Sequence, residues 1–241
     1  MMLQNINIEN ILFLDIETVS QYPSYDKMPE NLRSLWDKKA SWFRKEEQTP
    51  EELYTRAGIY AEFGKIICIS VGVFDSKGES RKLRIKSFFG DDEYKILNGF
   101  GHLLSGLSDR KTMMLCAHNG KEFDFPYIAR RMLVNGIPLP YSLDIGGKKP
   151  WETNFLDTME LWRFGDHKHY ISLELLAATL NIPNPKDEID GSMIAELYWE
   201  KKGFDPIVTY CEKDVIAIAQ LMLRYKGEAL LEPENIIRIK N

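Results

Sequence analysis

Three kinds of signal are scarce in this chain, and each scarcity removes a class of protein. Cysteine comes first: Cys68, Cys116 and Cys211 sit singly among apolar residues with no C-x-x-C spacing. That argues against a disulfide framework or a cysteine-built zinc site and leaves buried small hydrophobes. Long hydrophobic runs are the second. Stretches such as Ile11-Leu-Phe-Leu and Ile66-Ile-Cys-Ile fall far short of the roughly 20 apolar residues a membrane helix needs, so no helical span is expected. The segment before Ile11 carries no Lys or Arg, and the apolar run after it ends at Asp15 rather than at a small-residue cleavage site. A signal peptide is therefore not expected, and a cytoplasmic setting is the default. Excess positive charge is the third, with 31 Lys and Arg against 36 Asp and Glu, a formal net charge of −5. Nucleic-acid binders commonly present a basic surface to phosphates, which counts against such a partner. The objection is limited, because a carboxylate site reverses its local field when it takes up divalent cations.

What is present is an ordinary globular composition. At 241 residues and 44% hydrophobic, the chain can bury one substantial core, and one domain spanning 1–241 with an insertion is expected. Apolar runs at about 11–16, 65–74, 82–89, 113–118 and 153–158 read as five strands. A polar and aromatic segment over about 20–63 separates the first two and reads as an inserted pair of helices. Within it Leu32, Leu35, Trp36, Trp42 and Phe43 recur at helical spacing, and Thr49-Pro-Glu-Glu52 combines a capping box with proline at the first helical position. Gly78 supplies a turn for an antiparallel hairpin of the second and third strands. Further helices are expected from Pro126 to Val134, after a Ser172 cap, from Ser192 to Lys202, and onward from Asp205-Pro206. Strands paired early and helices interleaved later give a mixed α/β sheet flanked by helices.

Three short motifs carry chemistry. In Ile11-Leu-Phe-Leu-Asp-Ile-Glu, residues two apart point to one face, so Asp15 and Glu17 project together from a strand end. Two adjacent carboxylates repel unless a cation sits between them, and oxygen-only ligands select magnesium or manganese over zinc. Alone, such a pair is more often a strand end emerging into solvent. Asn119-Gly-Lys-Glu-Phe-Asp124 follows the fourth strand and opens a helix at Pro126; Asp124 there is either a cap or a third carboxylate facing the first pair. On the last helix Tyr210 and Asp214 are one turn apart, at the margin of an apolar stripe of Cys211, Val215, Ile218 and Met222, where a cleft would open. A flanking tyrosine and a solvated aspartate would look the same.

Taken together, Phe13-Leu-Asp-Ile-Glu-Thr18, Asn119-Gly-Lys-Glu-Phe-Asp-Phe-Pro-Tyr-Ile128 and Tyr210-Cys-Glu-Lys-Asp-Val215 resemble the three exonuclease motifs of the DEDDy family. The likeness is greatest to the proofreading exonuclease domain of family-B DNA polymerases and its stand-alone relatives. Ile171-Ser-Leu-Glu-Leu-Leu-Ala-Ala-Thr-Leu-Asn181 also resembles the helix before the third motif in that family and in RNase D. The resemblance implies a ribonuclease H-like fold with a five-stranded mixed sheet, and a 3′-to-5′ exonuclease that releases nucleoside 5′-monophosphates from single-stranded or frayed DNA ends. It implies two divalent cations, Mg2+ or Mn2+. Asp15, Glu17 and Asp214 would hold the first, Asp15 would bridge to the second, and Asp124 would act through bound water. Tyr210 would orient the attacking water. The sister subfamily has histidine where this chain has Thr209, so the tyrosine variant matches better. Thr18, Asn119 and Phe123 are implied contacts for the terminal nucleotides.

Weaker signals are read more plainly. Gly146-Gly-Lys-Lys149 lacks the phosphate-loop pattern and reads as a solvated turn. His167-Lys-His169 reads as a polar loop, and Arg130 and Arg131 as exposed helix residues near enough to reach a bound strand. Phe123, Tyr127 and Trp151 are possible stacking platforms for unpaired bases, with ordinary packing the plainer reading of each. Two competing functions share these residues: an exoribonuclease, because the same carboxylates cut both backbones, and a non-catalytic ribonuclease H-like module that binds nucleic acid or protein.

Overall fold

A computed structural model describes residues 3–75, 80–107, 113–166, 170–183, 189 and 191–239. The turn at Gly78 and the segment His167-Lys-His169 lie outside the described residues. In chain order the elements are β1 (Ile11–Ser20), α1 (Glu30–Ala40), β2 (Gly64–Asp75), β3 (Lys82–Phe89), α2 (Glu93–Leu107), β4 (Met114–Ala117) and α3 (Asp124–Val134). They continue with β5 (Phe155–Asp157), α4 (Thr158–Arg163), α5 (Leu173–Thr179), α6 (Ile194–Trp199), α7 (Asp205–Tyr225) and β6 (Ile236–Arg238).

The strands form one sheet in the order β5-β4-β1-β2-β3-β6. β1, β2 and β3 run antiparallel in succession, whereas β4 and β5 join parallel to β1 on its other side. This is the mixed α/β arrangement of the ribonuclease H-like fold, with one correction: the sheet has six strands, not five. The sixth, β6, is three residues of a polar tail that pair parallel with β3. Too short to show a period, it is recruited by the open edge of β3, which it covers.

β1 sorts its side chains by parity, as a strand buried on both faces must. Leu12, Leu14 and Ile16 pack with residues of α2 and α3, among them Ile96, Phe100, Ile128 and Met132. Ile11 and Phe13 pack on the opposite face with Val215, Ile218 and Met222 of α7. The expected apolar stripe of α7 is thus realised, since Cys211, Val215, Ile218 and Met222 are all fully buried. No element was assigned above to α2, although Ile96, Leu97, Phe100 and Leu104 line its buried side.

A polar chain also anchors α7 to the sheet. Arg238 Nε of β6 donates to Glu212 at 2.7 Å, Ser87 Oγ of β3 donates to the same carboxylate at 2.8 Å, and Ser87 pairs with Ser70 of β2 at 2.9 Å.

The insertion departs from the expected pair of α-helices. One α-helix forms, α1, with Trp36 buried while Leu35 and Trp42 face solvent. The capping box forms as read, Glu52 N donating to Thr49 Oγ1 at 3.2 Å and Thr49 N to Glu52 Oε2 at 2.8 Å. What it opens is a 3-10 helix, Glu52–Ile59. Trp36 centres a separate aromatic core with Phe43, Tyr54, Tyr60 and Phe63 edge-on around it, and its Nε1 donates to Pro50 O at 2.7 Å.

Candidate active site

The central strand delivers the first pair of carboxylates. Asp15 and Glu17 lie on the face of β1 that meets α7, between buried Phe13 and Val19. The ladder to β2 shifts register after Glu17: Glu17 pairs with Cys68 and Thr18 with Ile66, leaving Ile67 as the extra residue. A bulge there bends the strand end immediately beside the pair.

α7 supplies the residues opposite. Pro206 occupies its first turn, and the buried stripe fixes its rotation, which leaves Tyr210 and Asp214 half-buried at the margin of the core. Cys211 from the same helix donates its thiol to the Asp15 carbonyl at 3.4 Å. A Cβ at Gly191 would come within 3.7 Å of the Tyr210 hydroxyl, so the turn Gly191–Met193 closes over that phenol.

The middle motif is shaped by two local devices. Asn119 has φ 60, a left-handed conformation that asparagine tolerates better than most residues. Gly120 has no room for a side chain, because a Cβ there would lie 2.4 Å from that of Ala117. Asp157, at the end of β5, then clamps the loop: it accepts from Asn119 N at 3.0 Å and Lys121 N at 3.1 Å while also capping α4 through Met159 N at 3.0 Å. The outcome is that Asp124 enters α3 as its first residue, buried, with Phe123 before it half-buried. The cap position falls to Phe123, so Asp124 does not act as the N-cap side chain.

These carboxylates form one electrostatic unit. Burial pushes Asp15 well above the usual carboxylate range, and Asp214, Glu17 and Asp124 push it further. Glu17 is raised in the same way, first by burial and then by Asp214. Asp124 is raised to about 7, chiefly by burial, with Asp157 and Asp214 adding to the rise and backbone amides opposing it. Each carboxylate brought out by the sequence therefore feels at least one of the others, although they come from β1, α3 and α7.

The donor set suits a divalent cation. Oxygen ligand atoms of Asp15 and Glu17 and the Cys211 sulfur all lie within 4.8 Å of one another. Asp15 Oδ2 is buried with no hydrogen-bond partner. A shielded carboxylate oxygen that faces other carboxylates and lacks a donor is relieved by a hard cation. Burial holds the Cys211 thiol up, so it is a protonated neighbour rather than a thiolate competing for the ion. Cysteine chemistry was set aside above; Cys211 nevertheless borders the site, a position that no C-x-x-C spacing could disclose.

Other sequence-predicted residues divide. Thr18, directly after Glu17, and Asn119, at the start of the loop that leads to Asp124, are both half-buried, and Asn119 Oδ1 is buried without a partner among the described residues. Tyr127 is only 2% exposed and cannot stack on a base, so that alternative is corrected. Trp151 is 76% exposed, on the turn Pro150–Glu152 that leads into the edge strand β5. Arg131 is corrected from an exposed helix residue to one 3% exposed, paired with Glu93. Asp157 is the functional residue that the motifs missed; its signal was Asp-Thr-Met-Glu160, a helix cap directly after a strand.

A six-stranded mixed sheet that gathers buried and half-buried carboxylates at its central strand, a neighbouring helix start and a covering helix defines a ribonuclease H-like protein with an acidic cluster. The chain belongs to the family described as predicted 3′-5′ exonuclease related to the exonuclease domain of PolB, which matches residues 59–234. Asp124, Tyr210 and Asp214 fall inside that match, whereas Asp15 and Glu17 precede it and stand on geometry. A solved family B DNA polymerase from the hyperthermophilic archaeon Pyrobaculum calidifontis is similar at 14% identity and TM-score 0.49, over 93% of this chain and 27% of that one. The chain thus spans about a quarter of that polymerase's length. No curated protein matches. Among the described residues no helix is long and apolar enough to cross a membrane.

Proposed function

We propose that this protein is a metal-dependent 3′-to-5′ exonuclease that removes nucleoside 5′-monophosphates from single-stranded or frayed 3′ ends of DNA, in a cytoplasmic setting. The observation that carries the reading is the cluster itself: Asp15, Glu17 and Asp124 are each raised by burial and by the charge of Asp214, and the buried Asp15 Oδ2 has no donor among the described residues. Asp15, Glu17 and Asp214 would hold one divalent cation, Mg2+ or Mn2+, and Asp15 with Asp124 a second. Such ions supply Lewis acidity and charge neutralisation for phosphodiester hydrolysis.

The chain's own part is positioning. Tyr210, held beneath the Gly191 turn, points its hydroxyl at the attacking water. Asn119 and Thr18 offer hydrogen-bonding groups to the terminal nucleotide, and Phe123 an aromatic face. Residues 1–241 act as one catalytic unit on this reading, with 20–63 as an insertion in it.

The test is degradation of matched 5′-labelled single-stranded DNA and RNA with Mg2+ or Mn2+, for the parent, Asp15→Ala and Asp214→Ala. A metal-dependent ladder shortening from the 3′ end, lost in both variants and faster on DNA, is the expected result. Faster loss of RNA would make it an exoribonuclease. No ladder from a folded parent on either polymer would overturn the catalytic reading and leave a binding module.

A further inference from the structure

We infer that Tyr127 and Arg131 latch the 20–63 insertion to the helix that carries Asp124, which makes Tyr127 a positioning residue for the terminal nucleotide and the insertion a fixed wall of the cleft. The inference rests on the proposed exonuclease reading for what occupies the cleft; the latch itself stands on the fold.

Asp124, Tyr127 and Arg131 occur at i, i+3 and i+7 of α3, one face of the helix. All three are buried, so this face of α3 is polar where a core helix is ordinarily apolar. Two of the three reach the returning half of the insertion. The Tyr127 hydroxyl donates to Gly58 O at 2.7 Å, and Arg131 Nη1 donates to Ala61 O at 2.9 Å. The chain is shaped around that hydroxyl: a Cβ at Gly64 would lie 2.2 Å from it. Gly58 in turn lies flat on β1, where a Cβ would meet the Val19 carbonyl carbon at 3.1 Å and Ser20 N at 3.2 Å. The insertion therefore abuts the strand immediately after Glu17 and Thr18.

Tyr127 also touches two of the three residues assigned to the substrate, Thr18 and Phe123. A side-chain hydrogen bond joins it to Thr18. Its ring is tilted against Phe123 with centroids 5.3 Å apart. One buried side chain thus sets Thr18, Phe123 and the Gly58 wall relative to one another. Tightening or loosening this arrangement alters how well the 3′ nucleotide is held and leaves the bond-breaking groups in place.

The experiment is Tyr127→Phe, which keeps the ring and removes the hydroxyl, compared with the parent and with Thr18→Val and the double variant. Steady-state kinetics on single-stranded DNA, Mn2+ titration by calorimetry, and amide hydrogen exchange over 53–63 are the readouts. Deletion of a buried hydroxyl that serves two partners predicts a KM about tenfold higher with kcat changed less than about twofold. Mn2+ affinity is unchanged, exchange over 53–63 is faster, and the KM effects of the two single variants are not additive. Unchanged KM and unchanged exchange would overturn the latch. A fall in kcat with weaker Mn2+ binding would also overturn it, by placing Tyr127 in the service of Asp124. If the parent cuts nothing, the exonuclease reading fails separately, and exchange over 53–63 still decides whether the latch exists.

Discussion

Two buried carboxylate sites lie on either side of this sheet, and they are built on opposite principles. At Glu93, the N-terminal residue of α2, every oxygen is served: Ile66 N donates at 2.7 Å, Arg131 Nε at 2.9 Å and Nη2 at 2.6 Å, and Asn135 Nδ2 at 2.9 Å. At Asp15, half-buried on the other face of the sheet, the neighbours are three more carboxylates, and one buried oxygen has no donor among the described residues. A charge buried for architecture is met by a counter-charge from the protein's own chain, as at Glu93; a perturbed carboxylate without one marks a candidate functional site. The Glu93 site fixes α2, α3 and β2 and returns the insertion to the sheet. The Asp15 site instead gathers carboxylates that raise one another's cost of ionisation.

That contrast can be broken at its strongest point by mutation of the acidic site. Asp214→Ala should lower kcat by about 10³-fold or more while circular dichroism stays native, since the group lost is electrostatic rather than structural. Retention of activity within tenfold would remove Asp214 from the site. At the satisfied site the cost falls on stability instead. Glu93→Ala leaves Arg131 buried and unpaired, and urea unfolding should show a loss of about 3–5 kcal/mol. A loss under about 1 kcal/mol would mean that water replaces the carboxylate freely.

Asp15→Asn should act in the reverse sense and raise the stability of the metal-free protein at pH 7.5 by roughly 1–2 kcal/mol, because it removes one of several repelling charges. In EDTA its Tm is expected above the parent's, and in Mn2+ below it. The pH dependence sharpens the same point. Asp15, Glu17 and Asp124 are raised in the folded state, Asp124 to about 7, so the native protein binds more protons than the unfolded one across that interval. Metal-free stability should therefore fall as pH rises from the ordinary carboxylate range near 4 toward 7, and it should be regained with Mn2+, which displaces those protons. A metal-free Tm that climbs steadily from pH 5 to 7.5 would contradict it.

The smallest effect is at Arg238. Its side chain is 54% exposed, so removal of its bond to Glu212 should cost no more than about 1 kcal/mol.

How much of this was legible beforehand followed from how local each cause is. β1 to β5 were readable because each is a continuous apolar run or, as in β3, an alternation of buried and exposed residues, and the hairpin of β2 and β3 was read from the turn signal at Gly78 between them. The carboxylates were readable because Asp15 and Glu17 share a strand face and Tyr210 and Asp214 share a helix face, both consequences of backbone period alone. Their convergence was legible only through the family resemblance, since physically it depends on the parallel placement of β4 and on the Asp157 clamp that turns Asn119 and Gly120. Arg131 misled for a related reason. An arginine on an amphipathic helix belongs outside unless a partner waits inside, and its partner is a glutamate 38 residues away. β6 is held by an edge rather than by its own pattern, and so left no periodic trace. The 3-10 winding of Glu52–Ile59 is likewise not announced by the capping box that opens it.

The three thiols offer a way of watching this molecule that needs no substrate. Cys68, Cys116 and Cys211 are all inaccessible, two of them in the central strands β2 and β4 and the third on α7 against Asp15. An alkylating reagent can reach any of them only when that part of the structure opens. The rate at which Cys211 is modified, set against that of Cys116 as an internal reference, reports how often α7 lifts from the carboxylates. An ion seated between those carboxylates would slow the first rate and leave the second alone.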